Sequence, residues 1–165
     1  MKVHVGSDHA GLEFKNKIVA HLKAKGHEVV DHGPHKFDPL DDYPVFCFPA
    51  AEAVGREPGS FGVVLGGSGN GEQMVANKVK GVRAALVWNI EIAKLARTHN
   101  DANVISLGGR MHDEALCLEM VDVFLATPFS NDERHVRRIG MISKYEKDFH
   151  HLWPPLRPPL LKCGG

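Results

Sequence analysis

FGVVLGGSGNGE, residues 61–72, decides the fold of this chain. The apolar run from Phe61 to Leu65 is typical of a strand buried on both faces of a parallel sheet. Glycines follow at 66, 67, 69 and 71, and a helical pattern begins near Glu72. In such a strand–turn–helix unit, successive backbone N–H groups can turn towards an anion at the start of the helix.

Glu72 is an unexpected residue at the end of an anion-binding turn, where the P-loop pattern has lysine. As a purely structural residue, it is a first-turn acid that the helix dipole favours. As a chemical group, it could remove a proton from a substrate carbon while the loop stabilises charge that develops on the neighbouring oxygen. The loop alone leaves both interpretations open.

The same order of apolar run, turn and helical pattern recurs along the chain. Strands are predicted here and at Val3–Gly6, Glu28–Gly33, Arg83–Trp88 and Asn103–Gly109. This alternation indicates βαβ units, and so predicts the α/β class: a three-layer, Rossmann-like, doubly wound sheet of five parallel strands with helices on both faces. Gly26 is predicted to end the first helix with a positive φ.

Length and composition favour one domain, since the chain has 165 residues, of which 43% are apolar. We assign this domain to residues 1–150. Its last segment, residues 131–149, predicts an extra C-terminal helix of the kind that packs on a partner subunit. The tail, residues 151–165, contains four prolines and cannot continue a helix. It is either an extended end or a segment docked on a neighbouring subunit.

Charge and hydropathy exclude several classes of protein. Twenty basic residues balance twenty acidic ones, so we expect no nucleic-acid partner. No stretch is long and apolar enough to span a membrane, and the N-terminus enters a strand at once without a signal-peptide core. We therefore expect a soluble cytoplasmic protein with no membrane partner.

Cysteines and histidines give no recognisable metal pattern. The cysteines are far apart and odd in number, so reduced thiols are expected at Cys47, Cys117 and Cys163. The closest histidine pairs, His32 with His35 and His150 with His151, lack carboxylate or thiolate companions at ligand spacing. We expect no metal.

Polar residues follow the predicted strands where their carboxyl ends meet, which is the edge where parallel sheets bind ligands. Asp8 and His9 lie between glycines in GSDHAG, and Arg110 ends GGR. In purely structural terms, Asp8 is a helix N-cap and His9 a solvated loop residue. GSDHAG is not the dinucleotide fingerprint, so no nicotinamide cofactor is expected.

His99 and Asn100 precede the fifth predicted strand, so they lie at the opposite edge of the sheet. They reach the same crevice only if a partner subunit presents them. Arg134 and Arg138 are four residues apart on the last predicted helix, a spacing that suits two-point phosphate binding. The alternative is a solvated basic face, and the neighbouring Arg137 leaves the choice of residue open.

Together, these motifs resemble the ribose-5-phosphate isomerase B family, which includes galactose-6-phosphate isomerase subunits. The resemblance rests on four motifs in family order, GSDHAG, GGSGNGEQMVANK, RTHNDANVISLGGR and ERHVRRI, which cover most of the chain before the tail. It implies a metal-independent, cofactor-free aldose–ketose isomerase of the non-oxidative pentose phosphate pathway. It also implies a homodimer or homotetramer with sites at the subunit interfaces, which would bring His99 into the site.

The resemblance also implies which residue is the base. Many family members have a catalytic cysteine in the loop after the third strand, but Gly66 occupies that position here, and no cysteine lies near it in the sequence. The sequence resembles instead the branch, frequent in actinobacteria, that uses a glutamate later in the loop. Glu72 fits that position.

On this resemblance, each remaining candidate residue has a role. His99 opens the furanose ring, and Asp8 orients hydroxyl groups or assists. Glu72 moves the C2 proton to C1 through an enediolate. The loop N–H groups stabilise the enediolate, and Ser68 shuttles a proton between O1 and O2; the loop residues are Gly67, Ser68, Gly69, Asn70 and Gly71. Asn100 contacts that end of the sugar, and the phosphate end is held by His9, Arg110, Arg134 and Arg138.

Two alternatives differ from interconversion of ribose 5-phosphate and ribulose 5-phosphate. The substrate could be a six-carbon sugar phosphate, such as allose 6-phosphate or galactose 6-phosphate. The chain could also be a non-catalytic phosphate- or nucleotide-binding module, in which Glu72 only caps a helix and His99 has no explained role.

Overall fold

A computed structural model of the protein describes residues 1–152. Strands and helices alternate through most of it. The strands are β1 (Lys2–Ser7), β2 (Glu28–Asp31), β3 (Phe61–Gly66), β4 (Ala84–Leu86) and β5 (Val104–Gly108). The helices are α1 (Leu12–Ala24), α2 (Tyr43–Arg56), α3 (Asn70–Ala76), α4 (Ile90–Asn100), α5 (Glu114–Ala126) and α6 (Glu133–Leu152).

The strands form one parallel sheet in the order β2-β1-β3-β5-β4. The predicted Rossmann-like class is therefore confirmed, with the extra C-terminal helix as α6. From β1 the chain moves outward to β2, whereas from β3 it moves to the other half of the sheet. This reversal between β1 and β3 opens a crevice at the carboxyl ends of the two central strands.

Each face of the sheet buries its own apolar cluster, because alternate strand residues point to opposite faces. One cluster joins Val63 and Leu65 to residues of α1, α4 and α5. The other joins Val64 to residues of α2 and α3. These two clusters make the three layers and hold β3 at the centre of both.

Helix α3 is short and ends at Ala76. The Asn77 side chain explains this end, because it pairs with both backbone groups of Ala84 at the start of β4: its amide donates to the carbonyl at 2.8 Å, and its oxygen accepts from the N–H at 2.9 Å. Gly26 follows the end of α1 with φ of 82°, as predicted.

Helix α6 extends past residue 150, the predicted end of the domain. Helix α6 includes the first two residues of the predicted tail, and the rest of that tail lies outside the described residues. Within residues 1–152, no helix combines the length and the hydropathy needed to cross a bilayer.

A buried ion pair joins α1 to β2 beside the crevice. The Lys15 side chain is fully buried, and its Nζ donates to both carboxylate oxygens of Asp31 at 2.8 and 2.6 Å. Asp31 also accepts from the backbone N–H of Gly33 at 2.9 Å, in the turn that leaves β2. A buried ammonium needs such a partner, since desolvation without compensation is costly.

We predict that Asp31→Asn lowers the free energy of unfolding by about 3 kcal/mol. The asparagine can still accept from Gly33, but the Lys15 ammonium loses its counter-charge. Urea unfolding measures the change. Adding Lys15→Met to Asp31→Asn should recover part of the loss, and a double variant less stable than Asp31→Asn would contradict the ion pair.

Candidate active site

A cavity of about 610 Å³ lies at the carboxyl ends of β1, β3 and β5. It is the crevice expected from the reversal of the chain between β1 and β3. Seven predicted site residues line it, together with three others: Asp8, His9, Gly67, Ser68, Gly71, Glu72 and Arg110, with Ala10, Tyr43 and Met111.

Glu72 places a buried carboxyl group at the wall of this cavity. Its side chain lies in the first turn of α3 and is 4% exposed, and Oε2 has no hydrogen-bond partner among the described residues. Burial raises the pKa of the Glu72 carboxyl, the nearby Asp8 charge adds to this, and the Glu72 backbone N–H opposes it. A carboxylate in this state is a stronger base than an exposed one.

Gly66 makes the buried position of Glu72 possible. A Cβ atom built at Gly66 would overlap the Glu72 carboxylate group. The end of β3 therefore has room for either a side chain at position 66 or the carboxylate of Glu72. Gly66 is the position at which the resemblance implies a cysteine in many relatives, and here the carboxylate occupies the space of such a side chain.

The glycine loop presents free donors beside this carboxylate. Within the part of the chain that the structure describes, the backbone N–H groups of Gly67, Ser68 and Gly69 donate to no protein acceptor. Gly69 has φ of 82°, and its carbonyl accepts from the Ser106 hydroxyl at 2.7 Å, which holds the turn against β5. Such a turn can bind an oxyanion through its N–H groups.

Asp8 and His9 are held by hydrogen bonds at the end of β1. Asp8 Oδ1 accepts from the N–H groups of Ala10 and Gly11 at 2.9 and 3.2 Å, so part of its role is to cap the turn before α1. His9 is not a freely solvated residue, because its Nδ1 lies 2.7 Å from Asp41 Oδ1 and its side chain is 25% exposed. Both residues still line the cavity.

Besides Ala10 and Met111, the sequence analysis missed Tyr43, which lines the cavity, and Asp41, which contacts His9. The Tyr43 ring lies against Gly71, where an added Cβ would be 2.6 Å from the ring. Gly71 is the one sequence signal for this contact, since a residue without a side chain leaves room for a ring. Nothing in the sequence marks Asp41, which precedes α2 in a long loop.

Gly69 and Asn70 belong to the glycine loop without lining the cavity, and the other predicted residues form a second group on α4 and α6. His99 stacks on His135 with ring centroids 4.3 Å apart. Burial lowers the pKa of His135, and so do the neighbouring charges of His99, Arg134 and Arg138. His99, Asn100, Arg134 and Arg138 are all exposed, and none of these four described residues lines the cavity that contains Glu72.

Cys47 lies closer to the site than the sequence suggests. It is fully buried in α2, yet its pKa is raised first by burial and then by the charges of Glu72 and Asp8. The thiol is therefore protonated and inert. It does not replace the loop cysteine that the sequence resemblance implies for many relatives.

Among the residues that the structure describes, one group of side chains has ligand atoms close enough to hold a metal ion: Asp8, His9 and Asp41, within 4.8 Å of one another. His9 Nδ1 and Asp41 Oδ1 are only 2.7 Å apart. Two ligands of one zinc ion lie about 3.3 Å apart in tetrahedral geometry. We therefore interpret the contact as a hydrogen bond.

Comparison with known proteins identifies the family of the chain. Residues 3–142 match the family model described as Ribose/Galactose Isomerase. The chain belongs to this family. The resemblance noted from the four sequence motifs is thereby confirmed.

Relatives in the ribose/galactose isomerase family match over nearly their whole length. Ribose-5-phosphate isomerase B of Mycobacterium tuberculosis is 52% identical over 156 residues, which cover 94% of this chain and 95% of that protein. The probable ribose-5-phosphate isomerase B of Mycoplasma pneumoniae is 42% identical over 146 residues, which cover 88% and 95%.

Solved structures of the same family share the fold. Ribose-5-phosphate isomerase B from Mycoplasma genitalium, crystallised with bound ribulose-5-phosphate, superposes with a TM-score of 0.87 at 44% identity, over 89% of this chain and 97% of that one. The Clostridium thermocellum enzyme gives a TM-score of 0.86 at 42% identity, over 90% and 99%.

We predict that Gly66→Ala lowers the free energy of unfolding by about 1–3 kcal/mol, because the added methyl group overlaps the Glu72 carboxylate. Urea unfolding of Gly66→Ala, Glu72→Ala and the double variant measures the coupling between the two positions. In the Glu72→Ala background, Gly66→Ala should cost much less. Strictly additive costs would mean that the two residues do not compete for space.

Proposed function

We propose that this protein is an aldose–ketose isomerase that interconverts ribose 5-phosphate and ribulose 5-phosphate. The observation that carries the proposal is the buried Glu72 carboxylate, whose unpartnered Oε2 lies beside free loop N–H groups at the wall of the cavity. The names of the relatives agree with this reaction. No metal is needed, since proton transfer and charge stabilisation are supplied by the protein.

Glu72 is the base of this reaction. It takes the proton from C2 of the open-chain aldose and returns it to C1. The raised pKa of Glu72 favours this transfer, because it makes the carboxylate a stronger acceptor for the C2 proton. The unpartnered oxygen supports the role, since a purely structural carboxylate is expected to have its buried oxygens bonded.

The loop stabilises the enediolate that this transfer creates. The N–H groups of Gly67, Ser68 and Gly69 have no other acceptor in the described chain, so they are free to donate to a substrate oxygen. Fixed donors aimed at developing charge lower the barrier without reorganisation. The Ser68 hydroxyl moves a proton between O1 and O2, while Gly71 lines the cavity at this end and Asn70 begins α3 next to it.

The other residues hold the sugar and open its ring. Asp8 orients hydroxyl groups at the end of β1, where it lines the cavity. His9 and Arg110 bind the phosphate from the same chain. The groups that remain for ring opening and further phosphate contacts belong to the second cluster: His99, Asn100, Arg134 and Arg138.

A complete site then requires two chains, as a homodimer or a homotetramer. Helix α4 runs back along the sheet for roughly 16 Å, so His99 at its end lies at the edge opposite to Glu72. Helix α6, which carries the arginines, also exposes apolar side chains suited to a subunit contact: Val136, Met141, Ile142 and Tyr145. The cytoplasmic location stays a prediction from the sequence.

We predict that the purified protein converts ribose 5-phosphate to ribulose 5-phosphate in heavy water with a chelator present. Some deuterium should appear at C1, because a carboxylate base exchanges its proton with solvent during part of the turnovers. NMR measures both product and label. Glu72→Gln should reduce kcat by at least about 10²-fold, the usual contribution of a general base, and leave phosphate binding largely intact.

Each other outcome has a distinct meaning. Activity of Glu72→Gln close to that of the wild type would move the base to another residue. Turnover of six-carbon phosphates in preference to ribose 5-phosphate would change the substrate but keep the chemistry. Absence of turnover with every sugar phosphate, with phosphate still bound, would favour a binding module.

We predict that two inactive variants, Glu72→Gln and His99→Asn, restore activity when mixed. In a shared-site dimer, unfolding and refolding the mixture pairs half of the chains with the other variant, and each mixed dimer has one site with both residues intact. The specific activity should reach about a quarter of that of the wild type. Each variant refolded alone is the control, and no recovery in the mixture would mean that one chain supplies both groups.

A further inference from the structure

We propose that Asp41 is a positioning residue for the phosphate end of the site. Its carboxylate holds the His9 imidazole through Nδ1, so that Nε2 is the nitrogen that meets the phosphate of the substrate. The inference rests on the proposed function, because it takes the ligand of His9 to be a sugar phosphate.

Asp41 contacts both the backbone and the ring of His9. Asp41 Oδ1 accepts from the backbone N–H of His9 at 3.0 Å and lies 2.7 Å from the His9 ring Nδ1. An ionised carboxylate only accepts hydrogen bonds, so the proton of this contact is on Nδ1. One oxygen thus fixes both the backbone and the ring of His9.

This hydrogen bond determines which ring nitrogen of His9 is available to a ligand. With Nδ1 engaged, a ligand can meet only Nε2, because the bond made by one ring nitrogen sets the state of the other. Phe37 meets the His9 ring edge to face, with centroids 6.0 Å apart at 90°, and limits its rotation from another side. When Nε2 is protonated it can donate to a phosphate oxygen, while Asp41 offsets the charge of the imidazolium.

The cost of burying Asp41 supports a role of this kind. Its side chain is 8% exposed, and Oδ2 is buried without a hydrogen-bond partner among the described residues. An unsatisfied buried oxygen costs about 1–3 kcal/mol. A tight turn, in which the Asp41 N–H donates to the Asp38 carbonyl at 3.1 Å, keeps the carboxylate in place.

Asp41→Asn tests the proposal, because asparagine keeps the shape but removes the charge. We expect KM for ribose 5-phosphate to rise about tenfold, as for loss of one charge-assisted hydrogen bond, with kcat within about twofold of the wild type. The inhibition constant of inorganic phosphate should rise by the same factor. Asp38→Asn is the matched control, because it makes the same charge change in the same loop at an exposed side chain, and neither constant should change.

A double variant separates positioning from an independent effect. In a His9→Ala background, Asp41→Asn should add no further increase in KM. An unchanged KM in the single variant, or a full additional increase in the double variant, would overturn the proposal.

Nitrogen NMR of the His9 ring provides a readout that does not need turnover. The wild type should carry its ring proton on Nδ1, and inorganic phosphate should shift the Nε2 resonance. In Asp41→Asn, the ring should populate both tautomers and phosphate should shift Nε2 at higher concentrations only. A wild-type ring without a proton on Nδ1 would overturn the proposal, whereas failure of ribose 5-phosphate turnover with these NMR results intact would overturn only the proposed reaction.

Discussion

The space at the carboxyl end of β3 is the constraint on which the site depends. A buried carboxylate fits there only because Gly66 has no side chain, and the crevice beside it opens because the chain leaves the paired strands β1 and β3 towards opposite halves of the sheet. Around it, Gly69 takes a left-handed conformation, and Gly71 leaves room for the Tyr43 ring. The glycines therefore serve close packing as much as anion binding.

The direction of the chain explains why the candidate residues fall into two groups. In a βαβ unit, each strand carries the chain to one edge of the sheet and each helix returns it to the other. Residues after β1 and β3 therefore meet in one cavity, whereas His99, at the end of α4, lies at the far edge beside His135. This separation was predictable from the order of strand and helix alone.

Local chemistry was predictable from the sequence, and contacts between distant segments were not. The strands, the positive φ of Gly26 and the residues that line the cavity from β1 and β3 follow from periodicity and turn chemistry. The order of the strands was not predicted. Asp41 approaches His9 across a 32-residue separation, and the end of α3 depends on a hydrogen-bonded pair between Asn77 and Ala84. Such contacts exist only once the sheet has formed.

A carboxylate in place of a thiolate also changes how oxidants affect the molecule. Thiolates are oxidised stepwise to sulfenic and sulfinic acids, whereas a carboxylate does not undergo this oxidation. Burial raises the pKa of Cys117 to about 11 and that of Cys47 still further, so both thiols of the described chain stay protonated and unreactive. Met111 is the residue with an oxidisable sulfur that lines the cavity, and its side chain is exposed. The proton transfer proposed for Glu72 thus does not depend on the redox state of a thiol.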